Sequence, residues 1–272
     1  MIVLNDNEIG EITELIYTTH QLDFRNYAKS SLSRRFARIM SLNALNSKAD
    51  LLKFIISVKD VNAFVEEVTV NTTEMFRDPS FWVALKNAVL PILNTHDNIR
   101  IWHAGCSSGE EVISMQILLR ELGMENKTTA YATDIDTTIL GKAQQAIYSL
   151  KNMPLNEANY LKAGGEYTLD KYIKHKDIYN CTFDKDLLST VTFKKFDLVK
   201  DTMYTKFDLI LCRNVLIYFD FELQERVIQK YISNLFSQGF IAIGQKETIV
   251  SNDSLIHLNV FDNIEKIYRF NK

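Results

Sequence analysis

Apolar side chains in the first third of the chain recur at the spacing of amphipathic helices, about 3.6 residues per turn. The two clearest runs are Ile9, Ile12, Leu15 and Ile16, followed by Leu32, Phe36, Ile39 and Met40. Neither Gly nor Pro occurs within residues 11–78, so little in this stretch would break a helix. Asp78 and Pro79 resemble an N-cap and a first helical position, and they predict a further helix ending near Leu93.

From residue 99 onward the pattern changes to short β-prone runs that alternate with helical stretches. The runs are Ile99–His103, Thr128–Thr133, Val191–Phe196, Phe207–Cys212 and Phe240–Gly244. Such alternation predicts a doubly wound α/β fold with a mostly parallel sheet. The last two runs, His257–Phe261 and Lys266–Phe270, have no long helix between them, so we expect them to pair as an antiparallel edge.

Residues 151–190 fit this alternation poorly and predict an inserted subdomain. They contain Gly164, Gly165 and the tyrosines Tyr160, Tyr167, Tyr172 and Tyr179. The expected organisation is an all-α domain over residues 1–75, a linker and helix over 76–98, and an α/β domain over 99–272.

Composition agrees with a packed globular protein: 46% of the 272 residues are apolar and 24% are charged, which excludes collagen-like and disordered classes. Only 3 Pro and 9 Gly occur, which argues against a sandwich of many short strands. Cys106, Cys181 and Cys212 form no paired motif, so neither disulfides nor a metal site is expected. His103 is the one histidine inside a motif, and we expect it to be packed or hydrogen-bonded and not to be a ligand.

The net charge of −3 gives no overall attraction to nucleic acid or to anionic lipid. Residues 21–60, however, carry eight basic and three acidic side chains. Arg34, Arg35 and Arg38 share one side of their predicted helix, either as a solvated face or as a docking surface. The N-terminus has no basic targeting signal, and no apolar run approaches the roughly 20 residues of a membrane span. We therefore expect a cytoplasmic protein without membrane insertion.

The most informative segment is a predicted strand that enters a glycine-containing turn and then a helix, IWHAGCSSGEE at residues 101–111. Glu110 and Glu111 stand where a dinucleotide-binding protein would bind its phosphates. Their repulsion of phosphate, on the order of 1–4 kcal/mol at contact, disfavours NAD, FAD and ATP. A nucleotide-like ligand with positive charge, such as S-adenosylmethionine, suits them. A capping box from Ser108 to Glu111 is an alternative explanation of Glu111 that does not exclude the first.

Two further strand ends carry candidate ligand-binding groups. Asp134 follows Gly105 by 29 residues, about where a doubly wound fold places an acid for ribose hydroxyls, although strand-end acids also cap helices. Arg213 and Asn214 follow a later strand. Because the carboxyl ends of parallel strands meet at one edge of the sheet, these groups should share a crevice.

Four segments together resemble the CheR family of chemoreceptor glutamate O-methyltransferases. They are Asn71–Pro79, Gly105–Glu111, Ala132–Asp136 and Leu211–Phe219, and the resemblance runs in order from about residue 20 to the end. It implies a small helical, receptor-docking N-terminal domain followed by a class I (Rossmann-like) methyltransferase domain that uses S-adenosylmethionine.

The resemblance also implies roles for individual residues. Asn71, Thr73 and Arg77 would reach the methionine end of the cofactor, and Glu111, or alternatively Glu110, would bind its ammonium. Gly105 would belong to the cofactor turn, and Asp134 would bind the ribose. Asp197 and Leu198 would lie near the adenine, and Arg213 and Asn214 would complete the floor of the site. Tyr218 would lie beside the transferred methyl group.

The implied reaction converts receptor glutamates into γ-methyl esters and releases S-adenosylhomocysteine. A glutamate is already ionised at neutral pH, so no general base is required. The resemblance implies that the partners are the acidic methylation helices of the receptor, docked on Arg34, Arg35 and Arg38. We expect a monomer without a nucleic-acid partner.

Three positions depart from the family pattern. Asp197 replaces the family's Asn, which puts the adenine contact in doubt. Residues 151–190 are poor in strand alternation and lack a clear glycine-bounded hairpin, which puts in doubt whether they grip a receptor tether as the three-stranded subdomain of some relatives does. Residues 244–247, Gly-Gln-Lys-Glu, replace Gly-x-Ser-Glu, so their contacts should differ.

Two other functions remain open from the sequence. One is a catalytically weak scaffold that binds S-adenosylmethionine. The other is a methyltransferase for RNA or a small molecule, although the Asn-Pro-Pro-Tyr and paired-cysteine motifs typical of RNA base methylation are absent.

Overall fold

A computed structural model describes residues 4–69, 71–249 and 252–271. Residues 1–3 lie outside this described part, and they belong to the segment in which no targeting signal is expected. Lys272, at the end of the predicted α/β domain, also lies outside it. In the described residues, no helix is both long and apolar enough to cross a membrane.

The N-terminal region is helical, as the apolar spacing predicts. It contains α1 (Asp6–His20), α2 (Lys29–Leu42), α3 (Lys48–Ser57) and α4 (Val61–Val68). The predicted apolar faces of α1 and α2 enclose a shared core, in which Ile12, Ile16, Phe36 and Ile39 are fully buried and Leu15 packs at the margin. These helices thus have a core of their own, separate from those of the sheet.

The predicted helix that begins at Pro79 is present but irregular. It comprises α5 (Pro79–Ala84), a π-helical turn over Leu85–Val89, and α6 (Leu90–Leu93). Pro79 occupies the first turn, but the Asp78 side chain makes no capping hydrogen bond and its backbone is left-handed, with φ 53°. Its carboxylate instead binds the buried Arg213, so the expected capping role is wrong. A charge-assisted bond to a buried guanidinium is stronger than a neutral capping bond.

The α/β region contains the remaining helices and the strands. The helices are α7 (Glu110–Glu121), α8 (Thr137–Gln145), α9 (Met153–Lys162), α10 (Phe221–Ser233) and α11 (Asn252–His257). The strands are β1 (Ile99–Ala104), β2 (Thr128–Asp134), β3 (Ile147–Ser149), β4 (Ile173–Lys176), β5 (Asn180–Phe183), β6 (Val191–Lys195), β7 (Phe207–Cys212), β8 (Leu235–Ile243), β9 (Leu258–Asp262) and β10 (Ile267–Phe270).

Seven of the described strands form the main sheet, in the order β6-β2-β1-β7-β8-β10-β9. The five strands β6, β2, β1, β7 and β8 are parallel, whereas β10 is antiparallel to both β8 and β9. The predicted parallel sheet with an antiparallel edge is therefore confirmed. The strand order reverses between β1 and β7, and in doubly wound sheets a ligand crevice opens at this switch point.

The inserted region differs from expectation, because β3, β5 and β4 form a three-stranded antiparallel sheet and α9 lies between β3 and β4 along the chain. The sequence of residues 151–190 shows no glycine-bounded hairpin, yet β4 and β5 form a hairpin there. These strands have only three or four residues, and their tight turn contains no glycine. Instead, Asp177 Oδ1 accepts hydrogen bonds from the backbone N–H groups of Tyr179 and Asn180, both at 2.7 Å. Such an Asx turn replaces the glycine signal.

Trp102 packs against side chains of several neighbouring elements below the crevice. Its ring is fully buried and contacts the rings of Phe196, Phe207 and Tyr231 at centroid distances of 5.3–5.4 Å. Its Nε1 donates a hydrogen bond of 2.8 Å to Thr133 Oγ1. This aromatic packing fixes the ends of β1 and β2, from which the candidate residues project.

Candidate active site

A cleft of about 1130 Å³, its open mouth included, lies between the N-terminal helices and the carboxyl ends of β1, β2, β6 and β7. All ten residues that the sequence analysis assigned to the cofactor line it: Asn71, Thr73, Arg77, Gly105, Glu111, Asp134, Asp197, Leu198, Arg213 and Asn214. Tyr218 also lines the cleft. The fold therefore brings together residues that span more than half of the chain.

The turn after β1 requires glycine at two positions. Gly105 has φ +80°, and a Cβ there would lie 2.6 Å from Val215 Cγ2. Gly109 has φ +89°, and a Cβ there would lie 2.9 Å from Ala143 Cβ. Both positions combine a left-handed backbone with space too small for a side chain, so the backbone forms the cleft wall.

The two glutamates at the start of α7 have different environments. Gly109 is the N-cap of α7 and no side chain caps this end, so the expected capping box from Ser108 to Glu111 is wrong. Ser108 Oγ instead donates to Glu110 Oε2 at 2.6 Å, and burial raises the pKa of Glu110. Only Glu111 of the two lines the cleft.

Glu111 is held as an anion by two basic groups. His103 Nδ1 lies 2.9 Å from Glu111 Oε1, and Arg213 Nη1 lies 3.5 Å from Glu111 Oε2. Burial acts to raise the pKa of Glu111, but the hydrogen bond with His103, together with the charge of Arg213, brings it below its ordinary value. His103 is fully buried, so the expectation that it is packed and hydrogen-bonded is confirmed.

Arg213 connects Glu111 to the segment between the two domains. Its side chain is 2% exposed, and its Nη2 donates to Asp78 Oδ2 at 2.7 Å and to the Arg77 carbonyl at 3.2 Å. The guanidinium also lies over the Phe81 ring, 4.0 Å from its centroid. Arg213 is therefore fixed between two carboxylates and an aromatic face.

Asp134 is the last residue of β2. Its two carboxylate oxygens accept hydrogen bonds from the backbone N–H groups of Ser107, at 2.9 Å, and Asp136, at 3.0 Å, while burial raises its pKa. Asn71 Nδ2 donates to Asp136 Oδ2 at 3.1 Å. Asn71 therefore lies against the β2 end, beside Asp134.

Asp197 and Leu198 form the wall after β6. Asp197 is 8% exposed, its Oδ1 accepts a 2.8 Å hydrogen bond from the Val199 N–H, and burial raises its pKa. Tyr27, which precedes α2, lines the same cleft and packs edge-on against Phe219. Sequence analysis missed Tyr27, because no motif surrounds it and only the packing of the N-terminal helices brings it here.

The loop at residues 213–218, which we call the reaction loop, is held by a residue whose role the sequence analysis missed. Glu247 Oε2 accepts hydrogen bonds from the N–H groups of Asn214, at 2.9 Å, and Gly244, while Oε1 accepts from Ile217 at 3.2 Å. Asn214 has a left-handed φ of 62°. In the sequence, the only sign of the role of Glu247 was its place in the Gly-Gln-Lys-Glu segment, residues 244–247.

Tyr218 lies at the mouth of the cleft and is partly exposed, unlike a core aromatic residue. Burial raises the pKa of its hydroxyl, although the nearby charges of Arg35 and Arg77 act in the opposite direction. The Tyr218 carbonyl accepts a 2.8 Å hydrogen bond from the Ala28 N–H. The start of α2 is thus attached to the reaction loop.

The groups that line the cleft suit the chemistry of S-adenosylmethionine. Glu111 offers an anion to an ammonium group, Asp134 offers carboxylate oxygens to hydroxyls, and the backbone at Gly105 allows close approach. Ser107 Oγ, also in the lining, is buried without a hydrogen-bond partner among the described residues. Within the described residues, no group of three or more His, Cys, Asp or Glu side chains is arranged to hold a metal ion.

Comparisons with known proteins agree with this reading. Residues 71–262 match the family model "CheR methyltransferase, SAM binding domain", and residues 7–69 match "CheR methyltransferase, all-alpha domain". The protein Cher3 of Pseudomonas putida is 38% identical over 90% of this chain and 89% of its own. The chemotaxis protein methyltransferase of Borreliella burgdorferi is 29% identical over 94% of this chain and 93% of its own.

Among solved structures, the N-methyltransferase NodS of Bradyrhizobium japonicum aligns with 72% of this chain and 91% of its own, at 12% identity and a TM-score of 0.40. The family matches are far more extensive, because together they span almost the whole described chain. The chain belongs to the CheR family of S-adenosylmethionine-dependent methyltransferases.

Proposed function

We propose that this protein transfers a methyl group from S-adenosylmethionine to glutamate side chains of a chemoreceptor. The observation that carries the proposal is the single cleft in which Glu111, Asp134, Arg77 and Tyr218 meet. The printed names of several relatives, including those of Borreliella burgdorferi and Listeria monocytogenes, are chemotaxis protein methyltransferases. We also propose that the protein acts as a monomer.

In this proposal the cofactor lies along the strand ends. Glu111 binds its ammonium, Asp134 its ribose, and Asp197 and Leu198 lie beside its adenine. The lowered pKa of Glu111 supports the first role, because the carboxylate stays charged opposite a cation. Arg213 and Asn214 form the floor, and Asn71, Thr73 and Arg77 approach from the interdomain segment.

The chemistry requires orientation more than acid–base catalysis. S-Adenosylmethionine supplies an electrophilic methyl group on a positively charged sulfur. The receptor glutamate is ionised at neutral pH and can attack directly. Holding oxygen, carbon and sulfur in line can contribute roughly 7–11 kcal/mol. Arg77 and the protonated Tyr218 hydroxyl, at the mouth, are suited to orient the carboxylate.

Helix α2 supplies the docking surface for the receptor in this proposal. Arg34 and Arg38 are exposed, whereas Arg35 is partly buried and its Nε has no partner in the described part of the chain. The three arginines do not therefore form one uniform solvated face. Because the Ala28 N–H binds the Tyr218 carbonyl, an acidic helix bound along α2 would lie next to the reaction loop. Receptor methylation helices are cytoplasmic, so the proposed reaction takes place there.

We also propose the division into a docking domain over residues 1–75, a connecting helix over 76–98 and a methyltransferase domain over 99–272. The separate core of α1–α4 supports the first boundary. The two family models meet between residues 69 and 71, close to that boundary.

A label-transfer assay tests the function. The protein is incubated with tritiated S-adenosylmethionine and a receptor cytoplasmic fragment, and base-labile label on the receptor is counted. We expect Arg77→Ala and Tyr218→Phe to lower turnover more than cofactor affinity. Unchanged methyl transfer in both variants would remove the assigned roles. Cofactor binding without label would indicate a scaffold. Label on RNA in a parallel reaction to which RNA is added, with none on the receptor, would indicate another substrate.

The docking role has its own test. Arg34→Glu and Arg38→Glu should raise KM for the receptor fragment at low salt, where exposed charges interact most strongly. Arg226→Glu, at an exposed position of α10, is the matched control. If all three reversals affected methylation equally, or not at all, docking on α2 would have to be abandoned.

A further inference from the structure

The segment that carries Arg77 has an unusual backbone. Phe76 and Asp78, on either side of Arg77, both have left-handed φ values, 50° and 53°. This region is sparsely populated by residues with side chains, and a bulky aromatic residue rarely adopts it. The segment belongs to no helix or strand, so surrounding groups must hold it in this conformation.

Two buried asparagines of α9 hold the segment from one side. Asn156 Oδ1 accepts a hydrogen bond from the Met75 N–H at 3.1 Å, and Asn159 Nδ2 donates one to the Met75 carbonyl at 3.2 Å. The asparagines are 2% and 6% exposed. The Met75 N–H can only donate and its carbonyl can only accept, which fixes the orientation of both side-chain amides.

Other contacts extend this attachment to Arg77 itself. The Phe76 N–H donates to Ser114 Oγ at 2.9 Å, and the Phe76 ring lies between those of Trp82 and Tyr160, at centroid distances of 5.3 and 5.1 Å. Trp82 Nε1 then donates to the Arg77 carbonyl at 3.0 Å. The backbone is therefore held by side chains from residue 75 to residue 77.

We propose that Asn156 and Asn159 are positioning residues that set the place of Arg77 in the active site. Helix α9 belongs to the inserted subdomain, between β3 and β4, and so the subdomain is mechanically connected to the reacting centre. The inference rests on the proposed function in that it takes Arg77 to act on the substrates. The asparagines touch neither the cleft nor the reacting atoms; they act through the backbone.

Aspartate substitutions separate the two roles. Asn156 is used as an acceptor, so Asn156→Asp keeps the required oxygen. Asn159 is used as a donor, so Asn159→Asp places an oxygen against the Met75 carbonyl. We expect Asn159→Asp to lower kcat about tenfold or more, with KM for the receptor fragment changed less than about twofold, whereas Asn156→Asp retains most activity. Asn156→Ala should resemble Asn159→Asp. Asn152→Ala, at an exposed residue without a capping bond, is the matched control.

A spectroscopic measurement tests the positioning without relying on activity. The chain has 2 tryptophans, so the spectrum should contain two indole N–H resonances. The Trp82 resonance reports on the Arg77 carbonyl, and the Trp102 resonance, bonded to Thr133, serves as an internal reference. We expect Asn159→Asp to shift the Trp82 resonance and leave that of Trp102 in place, with the thermal unfolding of each variant recorded.

A double-mutant cycle completes the test. In an Arg77→Ala background, Asn159→Asp should lower residual kcat by less than about twofold, because its effect passes through Arg77. Equal losses from both aspartate variants, or an unmoved Trp82 resonance in Asn159→Asp, would overturn the inference. If the unaltered protein labels no receptor, the proposed function fails, and the Trp82 resonance still decides whether the asparagines hold this segment.

Discussion

Replacing Glu247 by Gln should loosen the reaction loop that carries Asn214 and Tyr218. The carboxylate of Glu247 accepts three backbone hydrogen bonds, from Asn214, Gly244 and Ile217. Glutamine has the same size, but one carboxylate oxygen becomes an NH₂ group, which cannot accept. The least damaging orientation places that NH₂ toward Ile217, because of the three bonds Oε1 accepts only this one, at 3.2 Å, whereas Oε2 accepts those of both Asn214 and Gly244.

The expected cost follows from these bonds. A buried donor left without an acceptor costs about 1–3 kcal/mol, and each of the two retained bonds loses about 1 kcal/mol when its acceptor is no longer charged. Burial raises the pKa of Glu247, which means that the buried charge is itself unfavourable. Removing the charge therefore offsets part of the cost of the weakened hydrogen bonds. A net cost of about 2 kcal/mol, if the loop must regain its geometry in the transition state, lowers kcat about 30-fold.

The assay is receptor labelling under saturating cofactor, with cofactor affinity measured separately by calorimetry. Glu265→Gln is the matched control, because Glu265 is also buried but accepts its 2.7 Å hydrogen bond from the Gln245 side chain and not from the reaction loop. We expect this control to retain its turnover. A folded Glu247→Gln protein with unchanged kcat would refute the reasoning.

Three other substitutions test the cleft. Gly105→Ala should abolish measurable cofactor binding, because its Cβ would lie 2.6 Å from Val215 Cγ2 at a φ of +80°; calorimetric affinity within about threefold of the original protein would contradict this. Arg213→Lys should weaken cofactor binding about tenfold or more, since a lysine ammonium cannot replace the guanidinium that contacts Asp78 and Glu111 together; an unchanged Kd would count against that geometry. Asp197→Asn should stabilise the cofactor-free protein at pH 7. Burial raises the pKa of Asp197, so the folded state binds this proton more tightly than the unfolded chain, and stability is lost as pH rises from the unfolded pKa through the folded one. Thermal unfolding of both proteins should therefore converge below pH 4, and a constant difference across pH would disprove the assignment.

Local sequence predicted the elements well where one physical signal dominated. The apolar period of α1 and α2 is strong because one helix face must be buried against another. The alternation of strands and helices after residue 99 implied the parallel sheet, and the glycine turn at 105–109 placed the cleft at its edge. Because strand ends of a parallel sheet converge, Glu111, Asp134 and Arg213 could be expected in one crevice.

Prediction from local sequence failed where a side chain could bind either a nearby backbone group or a residue distant along the chain, and bound the distant residue. Asp78 and Glu111 both have the pattern of helix caps, yet they bind the side chains of Arg213 and His103. The bond from the Arg213 guanidinium to Asp78 is charge-assisted and therefore stronger than a neutral capping bond. The hairpin of β4 and β5 was missed because Asp177 replaces glycine in its turn. No pattern marked Tyr27, since a single aromatic residue carries no periodicity, and the Gly-Gln-Lys-Glu segment marked Glu247 without indicating what its carboxylate holds.

The sequence by itself therefore determined the classes of structure: a helical N-terminal region, a doubly wound sheet and a cationic-ligand site at its edge, because periodicity and turn chemistry act over a few neighbouring residues. Only the tertiary structure decided which of Glu110 and Glu111 faces the cleft, that Glu247 holds the reaction loop, and that Asn156 and Asn159 hold the segment of Arg77. These depend on contacts between residues tens of positions apart, and their energies arise only when the packed core excludes water from both partners.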